Sequence, residues 1–163
     1  MPREPDEDEA AQLNRNFQDL LQELRVSQNG TQILFAFLLT VPFSSGFSKV
    51  TSFERGLYFV TLVIAALSAA MLIAPAVMHR VLFHQQLKSQ LVTVASWTAI
   101  GGQALLIFAV SGAVLLVGDF LYGLTTGLAL AFVTMVWWLG WFFLLPLRLR
   151  LAHRRDSAKT SSR

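Results

Sequence analysis

Residues 91–147 read LVTVASWTAIGGQALLIFAVSGAVLLVGDFLYGLTTGLALAFVTMVWWLGWFFLLPL, a run of 57 positions with one charged side chain, Asp119. As a single helix it would measure roughly 85 Å, nearly three times the ~30 Å thickness of a bilayer's hydrocarbon. The run must therefore double back. Gly118-Asp119 is the expected turn, since Gly and Asp are turn formers and Asp is a good helix N-cap. Two spans follow, near Leu91–Val117 and Leu121–Leu147, with Asp119 the acid of an outer turn that caps the second.

Upstream, Gly56–Met78 has no charged residue over 23 positions and is followed by His79, Arg80, His84 and Lys88. It is another span, with Pro75 near its end. The first span is less plain. Its apolar core, Ile33–Val41, is too short to cross alone, and lengthening it back to Leu24 brings Arg25, Gln28, Asn29 and Gln32 to membrane depth. Pro42 and Ser44-Ser45-Gly46 end it. Before it, Leu13, Phe17, Leu20, Leu21 and Leu24 keep the spacing of one helix face, with Asn14, Gln18, Asp19, Gln22 and Glu23 opposite. This is an amphipathic helix at the cytoplasmic interface or docked on the bundle.

The expected fold is all-α: an integral membrane bundle of four transmembrane helices, preceded by that amphipathic helix. Residues 1–12 form an acidic disordered tail, 13–151 the helical domain, and 152–163 a basic disordered tail. The composition agrees. Of 163 residues, 54% are hydrophobic and 14% charged, against about 25% charged in soluble domains. The mean hydropathy is +0.53. Acids cluster at the front (Glu4, Asp6, Glu7, Asp8, Glu9) and bases at the back (Arg148, Arg150, Arg154, Arg155, Lys159, Arg163), so the formal +3 marks two tails and no nucleic-acid-binding face. Cysteine is absent, which excludes disulfides and thiolate chemistry. A secretory signal peptide is not expected, because the N-terminus is acidic.

Orientation follows from Lys and Arg. With four spans, eleven of the 13 fall on one side: Arg3, Arg15, Arg25, Arg80, Lys88 and the six of the C-terminal tail; Lys49 and Arg55 fall on the other. Both termini are thus expected in the cytoplasm and the protein in the inner (plasma) membrane, with anionic lipid at the basic C-terminal tail.

Few polar residues are placed to carry a function. Arg25, Gln28, Asn29 and Gln32 fall within roughly a 100° arc of one helix face, with Glu23 beside it. Amides find no partners among lipid tails, so this face is expected to look inward. It reads either as the lining of an ion or solute path or, more simply, as an interhelical hydrogen-bond cluster with Arg25 snorkelling to the interface. Gln103 is the matching group across the bundle. Small residues mark helix contacts at Gly123, Gly127 and Ala131, and at Ala66, Ala70 and Ala74. Trp97, Trp137, Trp138 and Trp141 fit an aromatic belt. His79 and His84 are five apart, without the i, i+4 spacing of a metal pair, so neither a metal site nor a cofactor is expected. No catalytic set gathers at one depth, and no enzyme is expected. The openings Phe53-x-x-Gly56-Leu57-Tyr58 and Phe120-Leu121-Tyr122-Gly123-Leu124, each with a proline some 20 residues on, fit a duplicated hairpin or a chance echo.

The stretch Leu20-Leu21-Gln22-Glu23-Leu24-Arg25-Val26-x-Gln28-x-Gly30-x-Gln32-Ile33-Leu34, with Phe37-Leu38-Leu39-Thr40-x-Pro42-Phe43 and Ala74-Pro75-x-x-x-His79-Arg80, resembles a family of small bacterial four-span membrane proteins of unknown function. The resemblance covers about residues 13–151. It implies the four-span architecture and draws attention to Glu23, Arg25, Gln28 and Gln32. Some members are labelled sodium:proton antiporter, but antiporters of that kind carry buried acids in broken helices, and this chain has no such acid. Two functions stay open: a small channel or transporter subunit, working as a homo-oligomer with a polar path along the first span, and a non-transporting scaffold that binds a partner through its N-terminal helix.

Overall fold

The structure, a computed structural model, describes residues 5–82, 88–144 and 148. They are helical apart from short connections. Helix α1 runs over Pro5–Thr40, α2 over Ser52–Leu82, α3 over Lys88–Tyr122 and α4 over Leu124–Leu139, and α4 continues as a π-helical stretch, Gly140–Leu144. Two 3-10 turns, Val41–Phe43 and Phe47–Lys49, join α1 to α2. The chain forms two units, Met1–Ala109 and Val110–Arg163, with the boundary inside α3.

Among the described residues, three segments are long and apolar enough to cross a membrane: Ser52–Met78, Thr93–Tyr122 and Leu124–Phe142. α1 is not among them. It is one continuous helix, so the amphipathic segment and the first span expected from the sequence are two parts of a single element that begins at Pro5.

Local chemistry explains the boundaries. α1 ends at Pro42, which lacks the N–H that would continue it. α2 opens on Thr51 and Glu54, each of which caps the other. The Glu54 N–H donates to Thr51 Oγ1 at 3.2 Å, and the Thr51 N–H donates to the Glu54 carboxylate at 2.6 Å. That reciprocal pair is a capping box. The turn between α3 and α4 lies at Gly123, five residues beyond the expected Gly118-Asp119. Gly123 has φ 87°, a conformation costly for residues with a Cβ. Gly118 stays helical and is buried beside Gly127, where a Cβ would meet the Gly127 Cα at 2.8 Å.

Inside the first unit the buried positions repeat every 3.5 residues. They are Leu24, Thr31 and Leu38 in α1; Glu54, Tyr58, Thr61, Ala65, Ser68, Leu72 and Pro75 in α2; and Ala95, Ala99, Gly102, Leu106 and Ala109 in α3, with Ile107 also buried outside the repeat. This is the period of a left-handed knobs-into-holes seam. Much of it is Ala, Ser, Thr or Gly, the composition by which membrane helices approach closely. A Cβ on Gly102 would lie 3.2 Å from the backbone N of Leu72. The ridge expected at Ala66, Ala70 and Ala74 is not the packed one, since Ala66 and Ala70 are exposed. A spacing of four drifts away from a 3.5-residue seam, and Ala65, Ser68 and Leu72 take the contact. Large apolar side chains such as Phe59, Leu67, Trp97 and Phe132 point outward.

Candidate functional site

Two hydrogen-bonded levels tie α1 to α2. At the first, Gln28 Nε2 donates to the Leu72 carbonyl at 2.7 Å. That carbonyl lies in the turn disturbed by Pro75, whose missing N–H and bulky ring loosen the preceding helical bonds. α3 joins the same level from both sides. Gln103 Nε2 donates to Ser27 Oγ at 2.6 Å, and Ser68 Oγ donates to the Gly102 carbonyl at 2.8 Å. Thr31, fully buried, returns its hydroxyl to the Ser27 carbonyl of its own helix. Leu20, Leu24, Leu72 and Ala99 pack into an apolar layer around this belt. Amides and hydroxyls can lock three helices together here. Among the described residues the belt consists of amide, hydroxyl and backbone carbonyl groups.

At the second level, the Tyr58 hydroxyl donates to the Leu38 carbonyl at 3.1 Å. The Tyr58 ring meets Phe47 edge-on at 5.3 Å, and the Arg55 guanidinium lies 5.9 Å from the Phe47 ring centroid. The connection between α1 and α2 is thereby pinned to the start of α2. Glu54 is buried within it.

The structure divides the polar residues picked out by sequence. Gln28 and Gln103 enter the belt, although Gln103 reaches Ser27 and not another amide. Glu23, Arg25, Asn29 and Gln32 are exposed. The expectation that the whole polar arc faces inward is therefore corrected. α1 turns the seam of Leu24, Thr31 and Leu38 to its neighbours. Gln28 lies about 60° from that seam, while Arg25, Asn29 and Gln32 lie roughly 100–160° away. The side chains of Arg80 and Lys88 lie outside the described residues, as does His84.

In the second unit, Gly127 and Ala131 are buried and Gly123 is the exposed turn. A Cβ on Gly127 would sit 2.7 Å from the Asp119 backbone N. Asp119 does not cap α4; it stays in the last turn of α3, and its carbonyl accepts the Gly123 N–H at 2.8 Å. Ser111 Oγ is buried without a hydrogen-bond partner among the described residues. Along α4 an open apolar groove of about 400 Å³ is lined by Phe132, Val133, Val136, Trp137, Gly140 and Trp141. Trp138 stacks on Phe142 nearby at 5.2 Å.

Sequence reasoning missed Ser27, Thr31, Thr61, Ser68 and Glu54. The signals were present. Thr61 and Ser68 are hydroxyls seven residues apart in an otherwise apolar run, and Thr51-x-x-Glu54 is a capping-box pattern.

A helical protein with, among the described residues, three apolar helices of membrane-spanning length is the class this fold defines. The chain belongs to DUF6328, a family of unknown function, whose family model matches residues 6–146. No curated protein and no solved structure matches it.

Proposed function

We propose that this protein is a non-transporting scaffold or accessory subunit of the cytoplasmic membrane. One observation carries the reading. The two amides best placed to line a path, Gln28 and Gln103, are spent on bonds between helices at 2.7 and 2.6 Å. Both are partly buried in a belt shared with Ser27, Ser68 and Gly102, and such bonds are worth roughly 0.6–2 kcal/mol of helix association in a membrane. On this reading α1 crosses as a fourth span sheltered by α2 and α3, and both termini are cytoplasmic. The bias of Lys and Arg supports that orientation. The part of α1 before Leu20 then stands clear of the membrane, with Gln12, Arg15, Gln18 and Asp19 exposed as a surface for a partner.

The test is flux. Purified protein in liposomes, challenged with a panel of small cations, anions and protons, should give no flux above protein-free vesicles. Flux that Gln28→Leu abolishes without unfolding the protein would replace this reading with a conduit along the first span.

A further inference from the structure

α1 carries a second regular stripe besides its packed seam. Gln18, Gln22, Arg25, Asn29 and Gln32 follow one another at spacings of four, three, four and three, and all are exposed. Spacing of this kind keeps residues on one side of a helix over several turns. The stripe lies about 140° round the helix from Leu24, Thr31 and Leu38. It is flanked by Val26 and Ile33, exposed at 74% and 72%.

The two levels described above fix the depth of this stripe. Gln28 is level with Leu72, and Leu38 is level with Tyr58. Asn29 and Gln32 fall between them, alongside the uncharged Gly56–Met78 stretch of α2. On the reading that α1 crosses the bilayer, on which this inference rests, both amides face hydrocarbon in a single chain. An amide there without a partner costs a few kcal/mol, so the stripe needs a polar cover.

We propose that the cover is the same stripe of a second copy of this chain. A carboxamide carries both donors and an acceptor, so Asn and Gln complement themselves. Two copies inserted with the same orientation hold Asn29 and Gln32 at equal depths. A two-fold axis along the membrane normal then sets each amide against its counterpart. Asn at a heptad position pairing across parallel helices is an attested way of fixing register and oligomeric state. Val26 and Ile33 close round the amides. Arg25 lies one turn nearer the aqueous side, where its long side chain carries the charge to water. One chain thus satisfies Gln28 and Gln103 internally and leaves Asn29 and Gln32 for its twin.

The chain has no native cysteine, so cross-linking reads the interface directly. Full-length Asn29→Cys and Gln32→Cys, reconstituted in liposomes and oxidised, should form disulfide-linked dimers, whereas Val63→Cys on the outer face of α2 should not. Asn29→Leu should weaken the dimer in detergent by roughly ten-fold, equivalent to about 1.4 kcal/mol, while the monomer stays folded by circular dichroism. Three outcomes overturn the proposal. If Gln32→Cys reacts with a water-soluble maleimide as fast as Ser45→Cys, α1 is not in the bilayer and the underlying reading fails first. If it reacts slowly but measurably and does not cross-link, the stripe lines a wet groove. If it neither reacts nor cross-links, something other than a second copy covers it.

Discussion

The Tyr58 hydroxyl donates to the carbonyl of Leu38 at 3.1 Å, which is the carbonyl that Pro42 leaves without its helical donor. In an uninterrupted helix Leu38 O would accept from the N–H of residue 42, and proline has none. A side chain from the next helix supplies what the first helix lacks. At the other end a side chain of α1 reaches the backbone of α2: Gln28 donates to the Leu72 carbonyl, next to the Met71 carbonyl that Pro75 leaves without its helical donor.

Tyr58→Phe should therefore destabilise the protein by about 1–3 kcal/mol, the usual cost of orphaning a buried carbonyl. The informative partner is Pro42→Ala, which restores an N–H to residue 42. Thermal unfolding of the two single variants and the double variant forms a cycle. Most of the Tyr58→Phe loss should vanish when Pro42→Ala is present. Equal losses in both backgrounds would mean that the hydroxyl acts elsewhere.

Gln103→Leu and Ser27→Ala each remove one side of the 2.6 Å bond between α3 and α1. Each should lower stability by roughly 1 kcal/mol. Because they share one interaction, the double variant should lose clearly less than the sum. Strict additivity in a detergent unfolding assay would remove Gln103 from the belt.

Glycines should sort by what a Cβ would touch. Gly127→Ala places one 2.7 Å from backbone that cannot yield and should cost about 1–3 kcal/mol through overpacking. Gly123→Ala meets open space but keeps a φ of 87°, costing about 1–2 kcal/mol. Gly30→Ala, helical and unobstructed, should stabilise by about 0.5–1 kcal/mol. The melting temperatures should follow that order, with Gly30→Ala alone above the native protein.

On the four-span reading, in which the bias of Lys and Arg favours both termini inside and the α1–α2 connection outside, cysteines introduced at Ser45 and Ser162 should label from opposite faces of sealed vesicles. Labelling from the same face would reduce the count of crossings to three.

The helical class and the apolar helices were legible because an uncharged run longer than any soluble core helix admits one solvent. The turn between the last two spans was misplaced because Gly118, Asp119 and Gly123 are all turn formers. What separates them is the close approach of Gly118 to Gly127, a tertiary fact with no local trace. For the polar arc, hydrophobicity alone weighed Arg25, Gln28, Asn29 and Gln32 alike. Only the rotation of α1 about its axis distinguishes Gln28 from the others, and the neighbouring helices set that rotation. The α2 seam was in principle readable, since Thr61 and Ser68 stand seven apart where apolar residues would otherwise serve.

The two bonds to the Leu38 and Leu72 carbonyls bear on the order in which the chain would enter the bilayer. α1 emerges first during synthesis, yet Ser27, Gln28 and its open Leu38 carbonyl find their partners on helices made later. On the four-span reading, α1 cannot partition into lipid as a solitary segment. It has to wait at the interface until α2 is made and then go in with it as a hairpin. A chain cut after Thr40 should therefore stay peripheral and be extracted by alkaline carbonate, whereas one that continues through Leu82 should resist extraction.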